Sequence, residues 1–184
     1  MILPVYLYGS PVLRKKAIEV DKNYTGLSAF IDDLWETMYN SDGVGLAAPQ
    51  VGKSIRVFVV DSSAMESEDP IVKTFKKTFI NAKIIEKSGD ESLFNEGCIS
   101  IPNIREDVSR PPRIRIQYFD ENWINHDEYF EGIPARIIQH EYDHLEGILF
   151  VDKIPAIRRK LLNGKLLAIT KGKVDVAYKI KVPR

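Results

Sequence analysis

The sequence predicts an α+β fold in which mostly antiparallel strands gather around one central helix. Strand-like segments between residues 55 and 130 follow one another, with a helical pattern on each side of them. A parallel sheet would instead alternate strands with helices. The chain has 184 residues, 44% hydrophobic and 28% charged, which is enough for one domain with a sizeable core. No repeat, linker or low-complexity segment divides it, so residues 1–184 are expected to form a single domain.

Taken in order, Tyr6 to Val20 has turn signals at Gly9-Ser10-Pro11 and no clear period. Leu27, Phe30, Ile31, Leu34 and Met38 recur at steps of three and four, which predicts an amphipathic helix ending near Asp42-Gly43. Gly43 to Gly52 is a loop of glycines and small residues, where a ligand or another backbone can approach closely. Ile55–Val60 and Phe79–Lys87 read as strands, separated by a polar, acidic loop from Ser62 to Asp69. Asn95 to Pro102 is a compact bend around Cys98. Arg113–Phe119 alternates Arg/Gln with Ile/Tyr, as a half-buried strand does, and Asp120-Glu121-Asn122 marks a turn before a further strand ending at Tyr129-Phe130.

A second helix is predicted from Pro134, with Ile137, Ile138, Tyr142 and Leu145 at helical spacing and Gly147 as its stop. Ile154–Leu162 predicts a short helix ending near Asn163-Gly164. Val174, Val176, Tyr178, Ile180 and Val182 alternate with other residues and predict a terminal strand.

Cys98 is the only cysteine, so no intramolecular disulfide can form and a reducing compartment is expected. The apolar opening Met1–Tyr8 has no basic region before it and is short. It resembles neither a signal peptide nor a membrane span, and a cytoplasmic protein without membrane contact is expected. Net charge is zero but uneven. From Lys153 onward there are ten Lys/Arg against one acid, Asp175, which points to a polyanionic partner.

The chemistry concentrates in Gln139-His140-Glu141-Tyr142-Asp143-His144, an H-E-x-x-H motif. Residues four apart lie one turn apart on a helix face, so His140 and His144 can grip one metal ion. Glu141 lies beside them, where its carboxylate reaches a metal-bound water rather than the metal. A third ligand is needed. Six residues past His144, where one class of zinc peptidases has another His, stands Phe150. Asp152 is too near for the late acidic ligand of another class, and nothing acidic lies between it and Asp175. The candidates are Cys98 and His126. His126 falls in a predicted hairpin turn, where exposure is the default. Cys98 sits in a bend between apolar stretches, and a thiolate suits zinc or ferrous iron. Cys98 is therefore taken as the third ligand. Three ligands leave a fourth position for water, as in a catalytic site, and the set points to amide hydrolysis without naming the amide. A general zinc peptidase and a non-catalytic metal module remain the competing readings.

Three segments together resemble one family, the peptide deformylases. They are Gly43-Val44-Gly45-Leu46-Ala47-Ala48-Pro49-Gln50, Glu96-Gly97-Cys98-Ile99-Ser100, and Gln139-His140-Glu141-Tyr142-Asp143-His144-Leu145. Tyr8-Gly9-Ser10-Pro11-Val12-Leu13-Arg14 also looks like the family's N-terminus. The resemblance covers about residues 1–152, with Ile99 where many members have Leu. It implies removal of the formyl group from the N-terminal formyl-methionine of new polypeptides. Cys98, His140 and His144 would hold natively ferrous iron, with zinc, nickel or cobalt as substitutes. Glu141 would be general base and then acid, while the Gln50 amide and the Ile99 backbone N–H would bind the oxyanion. The backbone of Val44, Gly45 and Gly97 would pair with the peptide as a strand does, which tolerates many sequences. Val44, Phe94, Ile133 and Ile137 are nominated as the pocket for the methionine side chain. Glu96 and Arg110 would form a supporting ion pair, with a positioning role. Because the family acts at the ribosome, the basic segment 153–184 is expected to dock on ribosomal RNA.

Overall fold

The structure, a computed structural model, describes residues 1–183. Arg184, the last of the basic residues counted above, lies outside them. The strands β2 (Gly45–Ala47), β3 (Val57–Asp61), β4 (Lys76–Ser88), β7 (Arg113–Phe119) and β8 (Asn125–Glu131) form an antiparallel sheet in the order β2-β3-β4-β7-β8. Its two faces follow from the alternation of side chains along each strand. On β3, Val57 and Val59 point to one side, into a core with Phe30, Ile31, Leu34 and Met38 of helix α1 (Leu27–Asn40). Phe58 and Val60 point to the other side, where Phe58 stacks on Phe79 with ring centroids 4.6 Å apart. That second core is closed by Ala135, Ile137, Ile138 and Leu145 of helix α3 (Gly132–Leu145).

The far side of α3 meets a second layer. Strands β5 (Ser92–Cys98) and β6 (Ile101–Arg110) form an antiparallel hairpin. Helix α4 (Ala156–Thr170) packs Leu166 and Ile169 into a third core with Ile104 and Val108 of β6 and with Phe150. The chain ends meet in a short parallel pair, β1 (Val5–Tyr6) with β9 (Ile180–Lys181). The fold is thus a single compact α+β domain, mostly antiparallel, with α3 held between the large sheet and the β5–β6 hairpin.

Five features differ from the sequence reading. The Gly43–Gly52 loop contains the edge strand β2, paired with β3. Residues 92–110 form a hairpin rather than only a bend around Cys98. The acidic loop is followed by a one-turn helix, α2 (Pro70–Thr74), whose Ile71 N–H is capped by the Asp69 carboxylate. Helix α4 does not stop at Asn163-Gly164 but runs on to Thr170, because Leu166 and Ile169 anchor its second half and override the glycine. The terminal strand is hydrogen-bonded only at Ile180–Lys181. Residues 173–180 do alternate in exposure, but a bend at Ala177–Tyr178 interrupts the run, and β1 offers only two residues to pair with. Among the described residues no helix is long and apolar enough to cross a membrane.

Candidate active site

Strand β8 runs directly into α3 at Gly132, whose φ of +63° turns the chain in a conformation that favours glycine. Pro134 occupies the third helical position, where its missing N–H costs no intrahelical bond. Almost every residue of α3 from Pro134 to Leu145 is buried, polar ones included. Each buried polar group must then find a partner or a task. Gln139 donates to the carbonyls of Pro111 and Ala135, and Arg136 bonds Val108 O and Ser92. Those two hold the helix in place; His140, Glu141 and His144 are left for chemistry.

His140 and His144 lie one turn apart with ring centroids 5.2 Å apart, and Cys98 is brought to them by the end of β5. At Gly97/Cys98 the ladder slips: Gly97 faces Arg105, but Cys98 faces Ile101. Such a bulge re-aims the side chain that follows it. Cys98 Sγ lies 3.5 Å from His144 Nε2, and one ligand atom from each of Cys98, His140 and His144 lies within 4.8 Å of the others. Ordinary metal bonds of about 2.3 Å to sulfur and about 2.0–2.1 Å to nitrogen, at a tetrahedral angle, put S and N about 3.5 Å apart. The donor set and its spacing therefore fit one divalent metal.

The layer behind these residues is charged and buried. Glu96 Oε2 lies 2.9 Å from His140 Nδ1, which leaves Nε2 for a metal. Arg110, only 2% exposed, donates to both oxygens of Glu96 at 2.6 and 3.0 Å and to Asp143 at 2.8 Å. Burial alone would raise the Glu96 pKa, but the hydrogen bonds from His140 and Arg110 outweigh it and hold the carboxyl at about 2. The anticipated Glu96–Arg110 pair is thus present, and it is buried.

Glu141 is 3% exposed, and its Oε2 has no hydrogen-bond partner among the described residues. Burial pushes its pKa up to about 7. The loop that precedes β3 supplies the facing group. Gln50, 1% exposed on a 3-10 turn (Ala48–Val51), accepts the Ala47 N–H with Oε1 at 2.8 Å. That bond fixes which way the amide points. Its Nε2 is aimed at Cys98 Sγ, 3.4 Å away, and at Ser100 Oγ, 3.3 Å away. The Ile99 N–H finds no acceptor among the described residues.

These groups open on a cleft of about 530 Å³. Val44, Gly45, Gln50, Phe94, Gly97, Cys98, Ile99, Ile137, His140 and Glu141 line it; His144 is 1% exposed behind them. Ile133 does not line it and packs against the core beneath α3. His126 is not in the predicted turn. The turn spans Asp120–Ile124, and His126 lies on β8, stacked on Tyr118 and bonded to Asp120 at 2.9 Å, far from a ligand's place. Sequence reasoning missed Val176 and Tyr178, which line the cleft from the C-terminal segment, and Arg105 and Asn103 of β6. The alternation over residues 174–182 did put Val176 and Tyr178 on one face, the only signal for either.

A family model described as polypeptide deformylase matches residues 2–160. A peptide deformylase of Christiangramia forsetii is 50% identical over 190 residues, covering 100% of this chain and 97% of that protein. One of Cytophaga hutchinsonii is 49% identical over 100% of this chain and 98% of that protein. Among solved structures, a peptide deformylase of Plasmodium falciparum superimposes with a TM-score of 0.81 at 36% identity, covering 91% of this chain and 95% of that one. A class I type b peptide deformylase of Acinetobacter baumannii, with Met-Ala-Ser bound, gives 0.76 at 36% identity, covering 84% and 99%. Sequence, fold and site agree, and the chain belongs to the peptide deformylase family.

Proposed function

We propose that this enzyme hydrolyses the formyl amide of N-formyl-methionyl polypeptides, releasing formate and a free amino terminus. The observation that carries the reading is the facing arrangement of a Cys98/His140/His144 donor set, a buried Glu141 and the Gln50 amide on one cleft. A divalent metal on Cys98, His140 and His144 would supply Lewis acidity and an activated water. One thiolate with two imidazoles suits ferrous iron, zinc, nickel and cobalt alike, and the resemblance to the family assigns ferrous iron as the native ion with the others as substitutes.

Glu141 takes a proton from the attacking water and returns it to the departing amine. A carboxyl whose pKa sits near neutrality serves both directions. Gln50 Nε2 and the Ile99 N–H donate to the oxygen that becomes negative, and the Ala47 N–H keeps the Gln50 amide from turning. The new C–O bond forms at the formyl carbon, the C–N bond breaks, and the nitrogen leaves with the proton from Glu141. Val44, Gly45 and Gly97 present backbone to an extended chain. Val44, Phe94 and Ile137 offer apolar surface for the first side chain. The Met-Ala-Ser peptide held by the Acinetobacter baumannii relative supports a methionine there. Such a substrate belongs to protein synthesis in the cytoplasm.

The test is formate release from formyl-Met peptides by protein prepared without oxygen and loaded with ferrous iron. Acetyl-Met and internal-peptide substrates run in parallel. Formate release alone is expected. Cleavage of an internal bond would make it a peptidase, and no cleavage would make it a metal-binding module. The basic C-terminal segment is assigned to ribosome docking, supported by the exposed Arg158, Lys160, Lys165 and Lys171 on and beside α4. Binding to ribosomes should weaken steeply with salt; salt-independent binding would remove the RNA from that assignment.

A further inference from the structure

The bend that carries Cys98 and Ile99 is held from three directions. The Tyr8 N–H donates to Ser100 O at 2.8 Å. Gln50 reaches Ser100 Oγ and Cys98 Sγ. The third hold comes from far along the chain: the Tyr178 hydroxyl donates to the Ile99 carbonyl at 2.8 Å. Tyr178 lies beyond residue 160, where the match to the family model ends. Its own position is fixed by the two backbone anchors that follow it. The next residue, Lys179, accepts the Val5 N–H at 2.9 Å, and Lys181 accepts the Leu7 N–H at 3.0 Å. Tyr178 and its neighbour Val176 also line the catalytic cleft.

These contacts have a chemical consequence. A hydrogen-bond donor helps a reaction most when it is already aimed at the place where charge develops. The Ile99 N–H sits on a two-residue bend, a place where peptide planes rotate easily. Fixing the Ile99 carbonyl removes much of that freedom from the residue that carries the N–H. We propose that Tyr178 is a positioning residue for deformylation, clamping Ile99 through its carbonyl so that the Ile99 N–H stays aimed at the oxyanion. The C-terminal segment is then a built part of the active site, and the inference rests on the oxyanion role proposed above for Ile99.

Tyr178→Phe in the full chain, loaded with metal, tests this. The ring stays and only the hydroxyl is lost. A donor removed outright from an oxyanion hole costs about 10²–10³ in kcat. A donor merely loosened should cost roughly tenfold. The expected result is that fall in kcat, with KM within about twofold and metal content unchanged. A thioformyl-Met peptide supplies the second readout. Sulfur accepts hydrogen bonds weakly, so the ratio of wild-type to variant rates should shrink with that substrate. An equal ratio for both substrates means that Tyr178 acts only through general stability and overturns the proposal. So does a variant with wild-type kcat. A wild-type enzyme that releases no formate would instead overturn the deformylase reading. If Tyr178→Phe folds poorly, the same pair of substrates is applied to Val5→Pro, which removes the N–H held by Lys179 and should loosen Tyr178 with its ring intact. An unchanged substrate ratio there also overturns the proposal.

Discussion

The carboxyl of Glu141 lies so close to the backbone of Gly45 that a methyl group on that glycine would sit 2.5 Å from Oε1 and 2.7 Å from Cγ. Gly45 has no positive φ, so its requirement is space and not conformation. Gly45→Ala should therefore push Glu141 out of line without touching a ligand. A misplacement of about 1 Å costs about 10²-fold in rate. Kinetics with elemental analysis check it: kcat should fall by about that factor with metal content intact. Glu141→Gln keeps the shape and removes the proton acceptor. Its kcat should fall by about 10²–10⁴ with one metal still bound per chain. A Glu141→Gln enzyme that kept its rate would assign the proton transfer elsewhere. Cys98→Ser exchanges a soft donor for a weak hard one, and competition with a chelator should show looser metal.

At the scale of elements, the β5–β6 hairpin explains both what the sequence conceals and what the site needs. Exposure along β6 alternates from Pro102 to Arg110, as a half-buried strand should. Yet the inward positions include Glu106 and Arg110, and β5 turns Glu96 inward. A search for apolar alternation passes over such a strand. The charges are tolerated because each has a partner: Glu106 pairs with Arg158 of α4 at 2.8 Å, and Arg110 joins Glu96 to Asp143. Helix α1 and strand β7 could be read at once because apolar residues mark their buried faces, with Thr37 the one polar residue on that of α1. Cys98, His140 and His144 could be found by counting donors. Tyr178 could not, because its role depends on a chain reversal that no local pattern records. The buried network makes its own prediction. Arg110→Met leaves Glu96 with only His140 and Asp143 with only Lys153, 3.6 Å away, and removing one partner of a buried pair costs about 3–5 kcal/mol. Urea unfolding should show that loss. Metal affinity should drop about 10–100-fold, because Glu96 would no longer be held against His140.

Across the whole molecule, the N-terminal turn, the segment after α3 and helix α4 converge on one carboxylate. Asp152 accepts the Leu149 N–H at 2.9 Å, and it pairs with Arg14 and with Arg159 of α4, the latter at 3.3 Å. Burial raises its pKa, but the Arg14 hydrogen bond and the Leu149 N–H outweigh that and hold it below its ordinary 3.8. The sign of the pH effect follows. Between the folded value and 3.8 the unfolded chain binds more protons than the native one, so stability rises with pH through that window. The contribution is complete above pH 3.8 and is lost as the pH falls through the folded value. Asp152→Asn should therefore lower Tm at pH 7, where three segments lose their shared anchor. The two proteins should converge as the pH is taken below 3.8. Thermal melts of metal-loaded wild type and variant between pH 7 and the acid limit of solubility test this. A constant gap in Tm across that range would mean that Asp152 contributes by shape and neutral hydrogen bonding, and that its charge does not join the ends of the chain to the body of the fold.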